Sequence, residues 1–144
     1  MPTFNVSRLN TGKLKPTVAR RSVLTALQQV APRCLDARQL YRILNSQFER
    51  LAQATIYRVL NDLWGAGLLI RTEGTRGRAL FAFKPDRQDH QKDTLRCHCG
   101  EKLVFIEDGV LRDRLLFLAS REGFKQDSSA VFTITIICAQ CPHA

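Results

Sequence analysis

Three segments in the first half of the chain repeat apolar residues at intervals of three and four, the period of an amphipathic helix. They cover residues 17–30, a stretch starting at Asp36, and approximately residues 54–66. Thr17 is a favourable N-cap, and Asp36 and Gln39 have the spacing of a capping box. The pattern therefore predicts three helices, the third of which begins without a strong capping residue.

Two short apolar segments, residues 68–72 and 79–83, follow the third helix. The six residues between them include two glycines, which permit a hairpin turn, so both segments are predicted to be strands. Three helices followed by a hairpin is the order of a winged helix, in which the third helix enters the DNA major groove and the hairpin touches the flanking backbone.

The second half of the chain begins after a polar segment, residues 85–94, which we interpret as a linker. Its pattern predicts a strand at 103–106, a helix at 108–121 and a long apolar strand at 131–138. In the helix, the residues expected to point inward are Val110, Leu111, Leu115 and Leu118. The last strand is too apolar for an open sheet edge, so we expect a partner chain to cover it.

The pattern thus predicts an α+β protein. Residues 1–84 form a winged-helix DNA-binding domain with a basic N-terminal arm, and residues 95–144 form a small α/β dimerisation domain. The chain has 144 residues, of which 44% are apolar, enough for a real core. It contains no apolar run long enough to span a bilayer and no secretion signal, so we expect a cytoplasmic protein.

The formal net charge of +9 is unevenly distributed. Residues 1–84 contain 14 Lys and Arg against 4 Asp and Glu, a net charge of +10, whereas residues 85–144 contain 8 against 9, a net charge of −1. Phosphate binding requires basic side chains gathered on one surface, so the first half is the one expected to bind a polyanion.

Candidate DNA contacts fall in three places. Thr55, Tyr57 and Arg58 share the polar face of the third helix near its start, where side chains can reach base edges. The hairpin contributes Arg76 and Arg78, and the start of the first helix contributes Lys15 and Arg20, together with Lys13 and Arg21. A merely solvated polar face is the alternative for an isolated helix, and the basic hairpin that follows favours DNA binding.

Four of the five cysteines form two close pairs, Cys97 with Cys99 and Cys138 with Cys141. In a reducing compartment such pairs are more often metal ligands than disulfides, and two pairs about forty residues apart can supply the four corners of a zinc site. Reduced, partly buried thiols are the alternative. The fifth cysteine, Cys34, stands alone.

Several of these segments occur together, in the same order and spacing, in a known family. They are Leu14-Lys15-Pro16-Thr17-Val18-Ala19-Arg20, Asp36-Ala37-Arg38-Gln39-Leu40-Tyr41, Ala54-Thr55-Ile56-Tyr57-Arg58-Val59-Leu60, Gly65-Ala66-Gly67-Leu68, Cys99-Gly100 and Cys138-Ala139-Gln140-Cys141. From about Leu14 to Cys141 the chain resembles the Fur family of ferric-uptake-type metalloregulators.

The resemblance implies a dimeric repressor with a winged helix, a dimerisation domain, a structural zinc bound by four cysteines, and an operator affinity set by a regulatory metal. It also implies that Lys15 enters a minor groove and that Tyr57 and Arg58 form a pair contacting a base and a phosphate. The cysteines available in this chain for that zinc are the two close pairs, Cys97, Cys99, Cys138 and Cys141.

The chain departs from the family pattern at the first cysteine pair. The family has Cys-x-x-Cys-Gly, and a gapless match from Cys99 places Arg96 at the first cysteine position. A shift of one residue would bring Cys97 into the zinc shell, and His98 or His143 could substitute for it.

Larger departures affect the regulatory metal site. The family's histidine-rich run is His90-Gln91-Lys92-Asp93 here, Lys84 replaces a common glutamate, and Cys34 and Ser129 replace common histidines. Because a cation repels a cation, the two lysines disfavour the ordinary iron or manganese site. Three hypotheses stay open: a rearranged site of Cys34, His90 and Asp93 that would favour zinc, a cysteine-based redox response, or a binder that is constitutive or regulated by a partner.

Other function classes find less support. The order of His98, Glu101 and the cysteines is wrong for a zinc deaminase, and the sequence has no phosphate-binding glycine loop or serine-nucleophile elbow. We therefore expect no enzyme. A winged helix that binds protein instead of DNA is the remaining alternative, and salt dependence separates the two because only phosphate binding weakens steeply as salt rises.

Overall fold

The computed structural model describes residues 9–10, 13–46, 51–84, 93–139 and 141. The helices are α1 (Val18–Val30), α2 (Ala37–Ser46), α3 (Gln53–Gly65) and α4 (Gly109–Arg121). The strands are β1 (Leu69–Glu73), β2 (Ala79–Phe83), β3 (Asp93–Cys97), β4 (Leu103–Ile106) and β5 (Thr133–Ile136). Within these ranges, no helix is long and apolar enough to cross a membrane.

Local hydrogen bonds begin the first two helices as the sequence predicts. The Thr17 hydroxyl accepts a hydrogen bond from the Arg20 amide at 3.2 Å. The Asp36 carboxylate accepts from the Gln39 amide at 2.7 Å, and the Gln39 side chain accepts from the Asp36 amide at 2.9 Å, which completes the capping box. α3 begins after Ala52 without a side-chain cap, also as predicted.

The apolar faces of α1, α2 and α3 converge on one core. Fully buried side chains come from each helix and from the segment after α3: Leu24, Leu27, Leu40, Ile56, Leu60, Leu63 and Leu68. Phe81 and Phe83 of β2 close the core on the hairpin side. This burial leaves the opposite face of α3 to the solvent.

β1 and β2 form the predicted antiparallel hairpin, with Leu69 opposite Phe83 and Glu73 opposite Ala79. β1 lies one residue later than predicted, at 69–73 instead of 68–72. Arg76 and Gly77 in the connecting turn have φ of 60° and 71°. These left-handed conformations turn the chain sharply and place Arg76 at the exposed tip.

The second half contains a three-stranded sheet with β3 in the centre. β3 pairs antiparallel with β4 and parallel with β5, and α4 lies between β4 and β5 in the chain. The Asp108 carboxylate caps α4 by accepting from the Leu111 amide at 3.0 Å. β3 begins at Asp93, so residues 93 and 94 of the predicted linker belong to a strand, and residues 85–92 lie outside the described ranges.

Two expectations for the second half were wrong. None of the residues of α4 is buried, and Val110, predicted to point inward, is 82% exposed. Apolar side chains lie on several sides of this helix instead of forming one stripe, so one sheet cannot cover them all. The last strand spans only Thr133–Ile136 and not residues 131–138.

The two halves contact each other through their backbones. The segment between α1 and α2 forms a β-bridge between Arg33 and Lys102, the residue before β4. The Cys34 amide donates to the Glu101 carbonyl at 2.8 Å, and the Leu103 amide donates to the Pro32 carbonyl at 3.0 Å. The turn between β3 and β4 is therefore joined directly to the winged-helix half.

Candidate functional site

The solvent face of α3 carries the predicted base-contacting side chains. Tyr57 is 52% exposed, Arg58 is exposed, and Thr55 is half-buried. Ile56 and Leu60, on the other face, are fully buried in the core. Packing of the buried face therefore fixes the position of the helix, while the polar side chains on its other face stay exposed to a ligand.

The two hairpin arginines have different surroundings. Arg76 is exposed at the tip of the turn. Arg78 forms ion pairs with Asp36 at 3.1 Å and with Glu101 at 2.9 Å. Two carboxylates compensate its charge, and the residue links the two halves. Phosphate binding by Arg78 stays a prediction.

The basic residues at the start of α1 also divide into two kinds. Lys15 is exposed. Arg20 forms an ion pair with Asp62 of α3 at 3.2 Å and donates to the Lys15 carbonyl at 3.1 Å. Arg20 therefore fixes the segment that carries Lys15 against the third helix.

Three cysteine sulfurs form a compact cluster. The Sγ atoms of Cys97, Cys138 and Cys141 all lie within 4.8 Å of one another, and those of Cys97 and Cys141 are 3.6 Å apart. Tetrahedral zinc with Zn–S bonds of about 2.3 Å requires sulfurs roughly 3.8 Å apart. The donor set and its spacing therefore fit zinc.

Two side chains adjoin this cluster as candidates for a fourth ligand. Cys99 lies outside the compact group, but its thiol is close enough to those of Cys97 and Cys141 to form hydrogen bonds with both. Burial has the largest effect on the Cys99 thiol and raises its pKa. The Nε2 atom of His98 is 3.4 Å from the Cys141 sulfur. His143, the third candidate, lies outside the described residues.

The sulfur of Cys97 is surrounded by hydrogen-bond donors. Burial raises its pKa, but hydrogen bonds from the Cys138 and Cys99 backbones and with the thiols of the same two residues outweigh it and lower the pKa to about 6. The Cys138 amide donates to this sulfur at 3.3 Å. A low pKa favours the thiolate, which is the form that binds metals.

Cys34 has the opposite environment. Burial raises the pKa of its thiol to about 11, against weaker opposing effects of a hydrogen bond with Thr72 and of the Arg96 charge. A thiol with this pKa is protonated near neutral pH, and a protonated thiol is a poor metal ligand and a poor target for oxidants.

The Asp93 carboxylate forms an ion pair with an arginine of the same chain. Arg112 of α4 binds both carboxylate oxygens of Asp93, at 2.9 and 3.1 Å, and its other terminal nitrogen donates to the carbonyls of Ser128 and Ala130, each at 2.6 Å. The Phe132 amide donates to the same carboxylate at 2.9 Å. One guanidinium therefore joins β3, α4 and the segment before β5.

The sequence profile of the ferric uptake regulator family matches residues 11–133 of this chain. The chain belongs to this family. The ferric uptake regulation protein of Klebsiella pneumoniae is 33% identical over 132 residues, covering 90% of this chain and 82% of that protein. The Neisseria gonorrhoeae protein of the same name is 30% identical over 139 residues, covering 95% and 92%.

Solved structures agree with the sequence comparison. The crystal structure of the Vibrio cholerae ferric uptake regulator has a TM-score of 0.65 and 29% identity, and the match covers 93% of this chain and 99% of that one. The family consists of DNA-binding, metal-responsive transcription regulators with an N-terminal winged-helix domain and a C-terminal dimerisation domain.

Against this family background, the predicted regulatory set of Cys34, His90 and Asp93 is not assembled by the described residues. Cys34 and Asp93 belong to no common group of potential metal ligands there, and His90 lies outside the described ranges. Sequence reasoning missed Arg112. In the sequence, Arg112 is a basic residue near the start of a helix, and basic residues in that position are usually exposed to solvent. Nothing there distinguishes it from an ordinary surface arginine.

We predict that Arg112→Ala lowers the free energy of unfolding by roughly 2–4 kcal/mol, because it leaves a largely buried carboxylate without its partner. Arg114→Ala is the matched control, since Arg114 is exposed and stacks on the exposed Phe117 ring. Urea unfolding of both variants measures the difference. Equal stability of the two variants would show that the Arg112 network contributes little.

Proposed function

We propose that this protein is a sequence-specific regulator of transcription that binds a duplex operator through α3 and the hairpin and acts as a repressor.

 The observation that carries this proposal is the exposed Tyr57 and Arg58 on a helix whose other face is buried, beside an antiparallel hairpin with Arg76 at its tip. The excess positive charge lies in the same half of the chain. Exposed donors on a rigid helix within a basic domain are what recognition of base edges requires.

The proposed contacts divide by position. Thr55, Tyr57 and Arg58 would face the bases of the major groove, and Arg76 would contact the backbone beside it. Lys15, held against α3 through Arg20, would reach the flanking minor groove. Arg20 and Arg78 would act through their ion pairs, by positioning these elements.

We further propose a homodimer formed through the second half of the chain. β5 lies at an edge of its sheet, and Ile137 directly after it is 61% exposed. Val110, Phe117 and Phe124 add exposed apolar area around α4. A second copy would bury this surface, and a two-fold symmetric dimer would match a palindromic operator.

Zinc is the metal that we propose for the cysteine cluster, with Cys97, Cys138 and Cys141 as ligands and Cys99 as the fourth. Thiolates are soft ligands that favour zinc over iron(II) or manganese(II). The site would be structural, because four protein ligands leave no open position for substrate or water. Since Arg112 already occupies Asp93, we propose that a second divalent metal is not needed for DNA binding.

For DNA recognition, we predict that Arg58→Ala and Tyr57→Ala each weaken binding to a selected operator by about 5- to 150-fold, the effect of losing one base contact. The probe is a duplex enriched by the wild-type protein from a random-sequence pool, and binding is followed by fluorescence anisotropy. Arg114→Ala removes the same charge from the other half of the chain and should bind like wild type.

Salt titration of the same complex tests the class of partner. Affinity should fall steeply as salt rises, because phosphate binding releases counterions. A failure to enrich any duplex, or unchanged affinity in the α3 variants, would contradict the assignment of this face to DNA and favour a protein partner.

For the cysteine cluster, we predict one zinc per chain after purification without added metal, measured by elemental analysis. Cys141→Ser should lose the zinc and melt at a lower temperature, because metal-binding energy contributes to folding. Cys34→Ser is the matched control and should retain the zinc. Added iron(II) or manganese(II) should leave operator affinity unchanged, and a clear increase would contradict the proposal of a single metal.

The same preparation identifies the fourth ligand. Cys99→Ser should weaken zinc binding more than His98→Ala, and the absorption spectrum of the cobalt(II)-substituted protein should show four thiolate ligands. A cobalt spectrum of three thiolates and one nitrogen that His98→Ala changes would assign the position to His98.

For the dimer, we predict that Ile137→Asp converts the protein to a monomer, because a carboxylate would be buried without a partner in the interface. Sedimentation equilibrium measures the change in mass. Val18→Asp places the same charge on an exposed apolar position of α1 and should leave the dimer intact. A dimeric Ile137→Asp variant would exclude the β5 edge from the interface.

A further inference from the structure

The turn between β3 and β4, residues 97–102, carries two of the cysteines and lies directly against the hairpin; we call it the cysteine turn. Gly100 has a φ of 78°, and a Cβ atom added to it would lie 2.7 Å from the Glu73 carbonyl oxygen and 3.1 Å from the Gly74 Cα. On the opposite side, a Cβ added to Gly74 would lie 3.1 Å from the Cys99 carbonyl oxygen. The two backbones therefore meet with no room for a side chain.

Side chains reinforce this contact. The buried Thr72 hydroxyl donates to the Gly100 carbonyl at 3.1 Å, and the Arg96 guanidinium donates to the Glu73 carbonyl at 3.0 Å. The Arg78–Glu101 ion pair, at 2.9 Å, adds a third connection between the hairpin and the turn. Contacts of these kinds fix both the distance and the orientation of the hairpin relative to the turn.

We propose that the cysteine turn positions the hairpin for DNA binding, so that metal loading at the cysteine cluster changes operator affinity through the contact at Gly100. This inference rests on the proposed function and adds a route of regulation to it. Gly100 and Thr72 are positioning residues in this scheme, since neither would touch DNA.

The physical basis is the difference in mobility between a cysteine turn that holds a metal ion and one that does not. A metal ion held by Cys97, at the end of β3, and by the cysteines after the parallel neighbouring strand β5 would tie these two strand ends together and limit the positions that the turn can adopt. Tightly packed backbones transmit a displacement instead of absorbing it. Loss of the metal therefore loosens the surface on which the hairpin rests, and the binding of metal and of DNA become coupled.

The chain contains its own reporter of the hairpin position. Trp64, its single tryptophan, lies at the end of α3 and stacks against Arg71 of β1, with the guanidinium carbon 5.1 Å from the ring centroid. Arg71 directly precedes Thr72 in the strand. A displacement of the hairpin should therefore change the fluorescence of Trp64.

The test compares Gly100→Ala with Gly123→Ala. Gly123 also has a positive φ, 86°, but an added Cβ there meets nothing within 4 Å, so the two variants share the backbone strain and differ in the contact. Thr72→Val is a milder second variant that removes one hydrogen bond with little change in shape. The measurements are zinc content, Trp64 fluorescence, hydrogen exchange of the hairpin amides, and affinity for the enriched duplex, each with zinc and after chelation.

In wild type and in Gly123→Ala, we expect chelation to change Trp64 fluorescence, to speed exchange of the hairpin amides and to weaken DNA binding at least tenfold. Gly100→Ala should retain one zinc per chain but bind DNA as weakly as the chelated wild type. Thr72→Val should fall between them. Exchange in zinc-loaded Gly100→Ala should already be fast.

Two results would overturn the inference. One is a wild-type hairpin whose exchange and fluorescence are the same with and without zinc, and the other is a Gly100→Ala variant in which zinc still controls both. Hydrogen exchange and Trp64 fluorescence are measured without DNA. If the protein bound no duplex, the proposed function would be contradicted, but these two measurements would still test the coupling between the turn and the hairpin.

Discussion

The arrangement of the two halves depends on the close approach of two backbones, Gly100 to Glu73 and Gly74. An added Cβ at Gly100 would clash with the Glu73 backbone, and the φ of 78° also requires glycine there, while an added Cβ at Gly74 would lie only 3.1 Å from the Cys99 carbonyl oxygen. The contact joins the end of β1 to the turn that carries Cys97 and Cys99. The surface proposed to bind DNA and the cluster proposed to bind zinc are therefore parts of one packed structure.

Much of the winged helix could be predicted because its determinants are local. The capping box of Asp36 and Gln39 spans three residues, and the apolar faces follow the helical period within each segment. The second half was predicted less well. The exposure of Val110 and the short β5 depend on which surfaces are available to cover them, and neither periodicity nor propensity contains that information.

The site shows the same division. The exposure of Tyr57 and Arg58 follows from the helical period of α3, so it could be predicted from the sequence. Arg76 and Arg78 look alike in the sequence, two residues apart in one turn, yet Arg78 meets carboxylates from two distant segments. Its partner Glu101 is 23 residues away, and only the packing of the hairpin on the cysteine turn brings the two together.

The Arg112 network suggests how a regulator of this family can hold its second half together without a second metal. A divalent cation joins carboxylate and carbonyl oxygens from different segments, and the Arg112 guanidinium does this with Asp93, Ser128 and Ala130. An arginine side chain is always charged and always present, so this connection cannot report a metal concentration. A signal that acts on the protein itself would then have to enter elsewhere. Among the described residues, the cysteine group combines potential metal ligands with a packed path to the hairpin.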